Sequence, residues 1–312
     1  MDSVFFPELA SGIDRLRKGQ LRFAYYTTAE TATQILQSRE IWLRNTAVMN
    51  DFKEVWHGME CLKEAWQNSQ GAKRMRDMFE LLNPGSAAWA ESNYNSWRQH
   101  IQSDTFITCL SEHPESENSN GRLSMWRAYG GRAGVAFVFK PDVLDTESNA
   151  IGAFAHPVSY MDDRQCGQRF SEIASRMQES LELLKTCPPE KMNGFVFSVL
   201  LWTALATKHP GFSEEREWRV AAIPSMWKSH VLKRSVEVVR GVPQHVLRLP
   251  LANRPEFQIT GLEVKELLDR VIIGPCDNPG TIFRAFVSLL AEAGVANPDT
   301  KVFISGIPLR QH

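Results

Sequence analysis

Phe212-Ser213-Glu214-Glu215-Arg216-Glu217-Trp218-Arg219-Val220 follows a long apolar run and opens a strand, crowding acids against bases. Its position decides the fold class: strands resume here after a helical block, so the chain alternates runs of strands with blocks of helices. Successive strand side chains point to opposite faces, which predicts Glu215, Glu217 and Arg219 on one face and Arg216, Trp218 and Val220 on the other. Two carboxylates two residues apart on a rigid strand can stabilise a developing positive charge or orient a hydroxyl. The same pattern describes a strand-edge ion pair, with Arg219 neutralising one Glu and Trp218 in the core. Both readings stay open.

Upstream, Asp162 to Ala206 reads as two helices divided at Cys187-Pro188-Pro189, where consecutive prolines cannot continue a helix. Its most apolar part, Phe195 to Ala206, is too short to span a bilayer and reads as a buried helix. Leu21 to Thr27 is strand-like and aromatic, followed by a helix at Ala29 to Leu36 with Thr28 as its N-cap and a second strand at Glu40 to Arg44. Asn50-Asp51, with Glu54 three residues on, reads as a cap for a helix that reaches about Asn68 and carries Val55, Met59 and Leu62 in helical spacing. Gly71 to Gln102 stays helical apart from Asn83-Pro84-Gly85. Thr105 to Leu110 and Val135 to Phe139 read as strands, and Phe154 to Tyr160 is expected to pair with the latter. Downstream lie strands at Glu217 to Ile223, His245 to Pro250 and Val271 to Gly274, a helix from Thr281 to Ala293 and a last strand at Lys301 to Ser305. Only this tail has the order of a βαβ crossover. The expected fold is therefore α+β around a mixed, largely antiparallel sheet. It forms one elaborated domain over residues 1–312, with helical insertions at about 52–103 and 162–206.

With 312 residues, 17 Phe and 9 Trp, the chain can bury a sizeable core. A formal net charge of -1 argues against a generic nucleic-acid coat. The five cysteines are scattered, without Cys-x-x-Cys or zinc spacing, and read as reduced thiols. No metal site is expected. The N-terminus has no basic segment followed by an apolar one, and with no membrane segment the expected location is cytoplasmic. Gly130, Gly131 and Gly134 do not follow a strand and open a helix, so they form no dinucleotide fingerprint, and no P-loop, His-Glu-x-x-His or Gly-x-Ser-x-Gly occurs.

Several segments could carry chemistry. The strand Arg22-Phe23-Ala24-Tyr25-Tyr26-Thr27-Thr28 ends at a helix start, where backbone N–H groups and a hydroxyl can meet a phosphate or ribose; core packing and capping explain it equally well. Ser111, at a strand end, together with Trp126 and Tyr129 beyond the loop, could hold a planar ring, or these aromatics could simply pack between helix and sheet. The turn Ile273-Gly274-Pro275-Cys276-Asp277 feeds a helix and reads as ordinary loop chemistry.

The order of these pieces resembles a bacterial family of uncharacterised domains. That family reads Tyr-x-Tyr-Thr/Ser, Asn-Asp-x-x-Glu, Phe-Ser-Glu, Met-Trp-x-x-Tyr-x-x-x-x-x-Gly, Glu-x-Glu-Trp-Arg and Ile-Ile-Gly-Pro. The corresponding residues here are Tyr25-Tyr26-Thr27, Asn50 to Glu54, Leu110-Ser111-Glu112, Met125-Trp126-Arg127-Ala128-Tyr129 with Gly134, Glu215 to Arg219, and Ile272-Ile273-Gly274-Pro275. More distantly, the layout is similar to the ADP-ribosyltransferase fold. That resemblance implies a sheet core of the same type and an NAD-dependent transferase, a toxin or phage-defence effector acting on RNA or protein. NAD would be its substrate, no metal would be needed, and an inhibitory partner protein is left open. It assigns Glu217 to holding a ribose hydroxyl as nicotinamide leaves and Glu215 to orienting the acceptor. Tyr25 and Thr27 become the first-strand NAD contacts, and Ser111, Trp126 and Tyr129 border the nicotinamide. The chain departs from that pattern at Tyr25, where the fold usually has His or Arg. The rival expectation is a non-catalytic binding module in which Glu215, Arg216, Glu217 and Arg219 form a structural ion-pair network.

Overall fold

The structure is a computed structural model that describes residues 2–48, 52–140, 148–239 and 241–308. Asn50 and Asp51 lie outside the described residues, as does the side chain of Glu54, so the expected cap there has no structural account. The described strands are β1 (Phe23–Thr28), β2 (Glu40–Asn45), β3 (Phe106–Glu112), β4 (Gly134–Phe139), β5 (Phe154–Pro157), β6 (Ser159–Tyr160), β7 (Thr207–Lys208), β8 (Glu217–Ala222), β9 (Lys233–Val239), β10 (Val242–Pro250), β11 (Leu268–Ile273) and β12 (Val302–Ile304). Ten of them form one sheet in the order β12-β11-β4-β1-β3-β2-β10-β9, with β8 joined to β3 and β5, while β6 and β7 pair separately. The β1–β3, β1–β4, β2–β10, β9–β10 and β4–β11 ladders are antiparallel; β11–β12 and β6–β7 are parallel. The fold is α+β with a mixed, mostly antiparallel sheet, and the tail crosses over from β11 through the helix Pro279–Glu292 to β12.

The chain divides into two compact units. One comprises Met1–Gly12, Asn45–Phe106 and His156–Ser213; the other comprises Ile13–Arg44, Ile107–Ala155 and Glu214–His312. The physical reason is visible in the helical unit. The two helical segments pack on each other, with Pro189–Leu205 against both Phe52–Asn68 and Ser86–Ser103, and Gln70–Leu82 against Asp163–Glu179. Met192, Val196, Val199, Leu200, Leu201, Ala204 and Leu205 are buried along Pro189–Leu205, so this helix is a core element rather than a surface one. The crossing with Phe52–Asn68 is close because position 58 is glycine: a Cβ there would collide with the Ala204 carbonyl. Cys187-Pro188-Pro189 does break the helices, and Asp162 forms a capping box with Gln165 at the start of Asp163–Glu179.

The sheet unit is organised by β4, all six of whose residues are buried. Its two edges are taken by β1, in the register Phe23↔Phe139 to Thr28↔Gly134, and by β11. The expected pairing of Phe154 to Tyr160 with β4 therefore fails: β4 has no free edge, and Pro157, which lacks an N–H, ends β5 before β6 begins. β5 pairs β8 and β6 pairs β7 instead. Thr28 caps the helix Ala29–Ser38 as expected, its hydroxyl accepting from the Thr31 N–H at 3.2 Å.

Register fixes the two faces of the sheet. On one, Ala24, Tyr26, Ala136, Val138 and Ile272 pack with Met125 and Trp126 of the helix Leu123–Tyr129. Ser111, opposite Ala24, belongs to this face, and its hydroxyl lies 3.8 Å from Met125 Sδ. On the other face Phe23 meets the edge of Trp218 with 5.2 Å between ring centroids, and Phe137, opposite Tyr25, meets Phe286. Among the described residues no helix is long and apolar enough to cross a membrane.

Candidate functional site

The acidic segment does not form the strand expected of it. Pro210–Glu215 is a 3-10 helix, and Arg216 has φ 44°, in the left-handed region that a side-chain-bearing residue rarely occupies, so β8 begins at Glu217. Glu215 and Glu217 therefore share no strand face. Within β8 the alternation holds. Glu217 and Arg219 lie on one side and form a buried ion pair, Nε to Oε1 3.0 Å, with Glu217 4 % and Arg219 0 % exposed. Trp218 turns to the opposite side, where its Nε1–H donates to Glu112 Oε1 at 3.1 Å. The guanidinium of Arg15 forks onto the same carboxylate, at 3.2 and 3.1 Å.

Glu215 instead meets Tyr129, whose hydroxyl donates to Oε1 at 3.1 Å. The backbone behind this pair is held by Arg122. Its Nη1 donates to the carbonyls of Glu214 and Glu215 at 2.8 and 2.9 Å, and its Nη2 donates to the Glu112 carbonyl at 2.6 Å. The Glu117 carboxylate takes two further bonds, from Nε at 2.9 Å and from Nη2 at 3.1 Å. One side chain thus ties the end of β3, the loop after it and the entry to β8. The Arg122 backbone N–H donates to the Tyr26 hydroxyl at 2.9 Å. Burial, reinforced by the Glu117 charge, pushes the Tyr26 phenol up to about 12, so it stays protonated and able to accept that bond. The same loop encloses His113, 2 % exposed, with Nε2 3.1 Å from Asn118 Oδ1. Burial, with the Arg22, Arg270 and Arg122 charges adding to it, lowers this imidazole to about 4.

The residues expected to contact NAD are only partly brought together. Tyr25 and Thr27 project from the Phe23 face of β1 and are half-buried, whereas Ser111 and Trp126 belong to the opposite face, so the sheet separates them. Burial also pushes the Tyr25 phenol above its ordinary range. Ser111 is 3 % and Trp126 0 % exposed, and neither borders an open ring site. Trp126 is a core residue: its Nε1–H donates to the Asn120 carbonyl at 2.8 Å, and its ring is edge-on to Tyr26 at 4.8 Å. Gly121, Gly134 and Gly274 line its indole so closely that a Cβ on any of them would fall 3.0 Å or less from ring atoms. Two glycines of the sequence motifs, Gly134 and Gly274, are thereby explained as the seat of this indole. What remains together is Tyr129 with Glu215, and Glu217 two residues further on. Arg122 was missed in the sequence, because most of its partners are backbone carbonyls and carbonyls leave no side-chain signature.

Among the described residues no group of three or more His, Cys, Asp and Glu is arranged to hold a metal ion. No curated protein and no solved structure matches the chain. Residues 125–220, which include Trp126, Tyr129, Glu215 and Glu217, match the family model described as "Protein of unknown function (DUF2971)", and the chain accordingly fits an uncharacterised domain family.

Proposed function

We propose that the chain is an NAD-dependent ADP-ribosyltransferase-like enzyme that uses Glu215 and Glu217 on an RNA or protein acceptor in the cytoplasm. The observation that carries this reading is the Tyr129–Glu215 hydrogen bond at the entry to β8, on a backbone that Arg122 fixes two residues before Glu217. A carboxylate held by its backbone costs little reorganisation when positive charge develops next to it, which is what departure of nicotinamide from a ribose requires. In this scheme Glu215 orients the acceptor, Tyr129 sets the rotamer of Glu215, and Glu217, paired with Arg219, anchors the start of β8 beside them in sequence. Tyr25, Thr27, Ser111 and Trp126 are supports rather than NAD contacts.

The test is incubation of the purified protein with NAD and cell extract. Nicotinamide release and label transfer are expected, and Glu215→Gln should abolish both while leaving the melting temperature nearly unchanged, since Glu215 is half-buried and a Gln carbonyl can still accept the Tyr129 hydroxyl bond. Absence of release, of transfer and of any NAD-dependent rise in melting temperature would sink the proposal. A second reading, the non-catalytic binding module, is favoured by a different observation, the complete burial of the Glu217–Arg219 pair. Under it, Glu217→Gln lowers stability and has no activity to remove.

A further inference from the structure

β9 forms one margin of the large sheet. It stands last in the strand order, beside β10 alone, and among the described residues no other strand and no loop backbone bonds to its outer edge. The unpaired N–H and C=O groups along such an edge are a template for another strand, which proteins ordinarily blunt with a short strand, a proline or a bulge. β9 has none of these. It runs for seven residues from Lys233 to Val239, contains no proline, and keeps an unshifted register with β10 from Lys233↔Arg248 to Val239↔Val242. The opposite margin, β12, has only three residues.

Alternation along β9 puts Val236 and Val238 on one face, 61 % and 67 % exposed, and Lys233, Ser235 and Glu237 on the other. Glu237 accepts from the Ser235 hydroxyl at 2.9 Å and meets Arg248 at 4.0 Å, both through Oε1, so its Oε2 has capacity for a further cation. Lys233 is exposed and pairs with no carboxylate among the described residues. A base near one end of an edge strand and an acid near the other become complementary when two copies run antiparallel. A two-fold axis through the joined sheet keeps each face on its own side, so it must pass through a residue and not between two. On Arg234 or on Glu237 it sets like charges against each other. On Val236 it leaves Lys233 opposite a valine and Glu237 opposite a serine. On Ser235 it sets Lys233 opposite the partner's Glu237, twice over.

We propose that β9 is a self-association surface: it pairs antiparallel with β9 of a second copy of this chain about a two-fold axis at Ser235, with Lys233 against the partner's Glu237 on both sides of the axis. Two sheets become one across the pair, and Val236 lies against the stem of the partner's Arg234. A single strand pair is smaller than a standard stable interface, so the association is weak and depends on concentration.

Sedimentation velocity of the full-length chain over about a hundredfold range of concentration supplies the test, and a monomer–dimer equilibrium is expected. Lys233→Glu and Glu237→Lys each set like charges against each other at both pairs, and each should raise the dissociation constant about tenfold or more. An equimolar mixture of the two variants restores opposite charges in the mixed dimer, and the double variant Lys233→Glu/Glu237→Lys restores them in the homodimer. Both should bring the constant back to within about threefold of wild type. Recovery on mixing also separates a lost contact from a failure to fold, because a misfolded chain is not rescued by another variant. A wild-type chain that stays monomeric throughout, or that grows beyond dimers, overturns the proposal. So does a dimer indifferent to the single variants, or a loss that neither mixing nor the double exchange repairs.

Discussion

Removing one member of the Glu217–Arg219 pair should be among the most damaging single changes available in the sheet unit. Glu217→Ala leaves a guanidinium of 0 % exposure without the carboxylate that neutralises it at 3.0 Å. Breaking a buried pair from one side costs about 3–5 kcal/mol, because desolvation of the surviving charge is no longer offset. With a urea slope of about 3 kcal/mol/M, that is a fall of roughly 1–1.7 M in the transition midpoint. Arg219→Met should lose a similar amount by removing the guanidinium 3.0 Å from the buried Glu217 carboxylate. The double variant Glu217→Met/Arg219→Met should recover most of the loss, since apolar replacement of a whole buried pair is often neutral or better. Urea unfolding followed by tryptophan fluorescence and by circular dichroism measures all three. Single variants that each lose less than about 1 kcal/mol would show that the pair behaves like an exposed one and refute the reasoning. So would single losses that simply add in the double variant, because the two residues would then be held by groups other than each other.

Other consequences are as direct. Gly134→Ala and Gly274→Ala place a methyl against the Trp126 indole and should each cost about 1–3 kcal/mol, read as a fall in melting temperature with altered tryptophan emission. Arg122→Lys keeps the charge but cannot reach Glu112, Glu214, Glu215 and Glu117 together, so the entry to β8 should become protease-sensitive, as mass spectrometry of limited digests would show. His113 and His156 titrate at about 4 in the folded chain against 6.5 for an unperturbed imidazole. Their depressed values mean that the unfolded chain binds protons first. The contribution is fully present above pH 6.5 and lost as pH falls towards 4, the loss reaching about 2 kcal/mol per residue at pH 5. Denaturation at pH 7 and pH 5 tests this, and His156→Gln should flatten the dependence.

The fold was legible where local chemistry and tertiary packing agree. Thr28 at a helix start, Pro188-Pro189 between helices and the unbroken apolar run of β4 each have one structural solution, and each adopts it. β9 was not anticipated because its sequence, Lys-Arg-Ser-Val-Glu-Val-Val, leaves Val236 61 % and Val238 67 % exposed, so no buried face marks it. The candidate site was legible in its residue types and not in its geometry. Alternation correctly placed Glu217 with Arg219, but the left-handed Arg216 removed Glu215 from the strand, and nothing in the side chain of an arginine announces a positive φ. Trp126 and Tyr129 read alike as aromatic ring-binders; three glycines decide that one is core, and those glycines are 5, 8 and 148 residues away from it.

The three-part construction of the helical unit has a consequence for how the protein is made. Phe5 stacks on Phe79 at 5.8 Å and on Phe195 at 4.8 Å, so the first helix of the chain waits for a partner encoded 190 residues later. A ribosome adding about 5–20 residues per second leaves that apolar N-terminal stretch without its final neighbour for roughly 10–40 seconds. The sheet unit is likewise closed at one margin by β12, which emerges last of all its strands. Neither unit can be completed vectorially. The nascent polypeptide has to be kept from aggregating until both of its ends are available, and synthesis in a cell depleted of holdase chaperones should reduce the soluble yield of this protein.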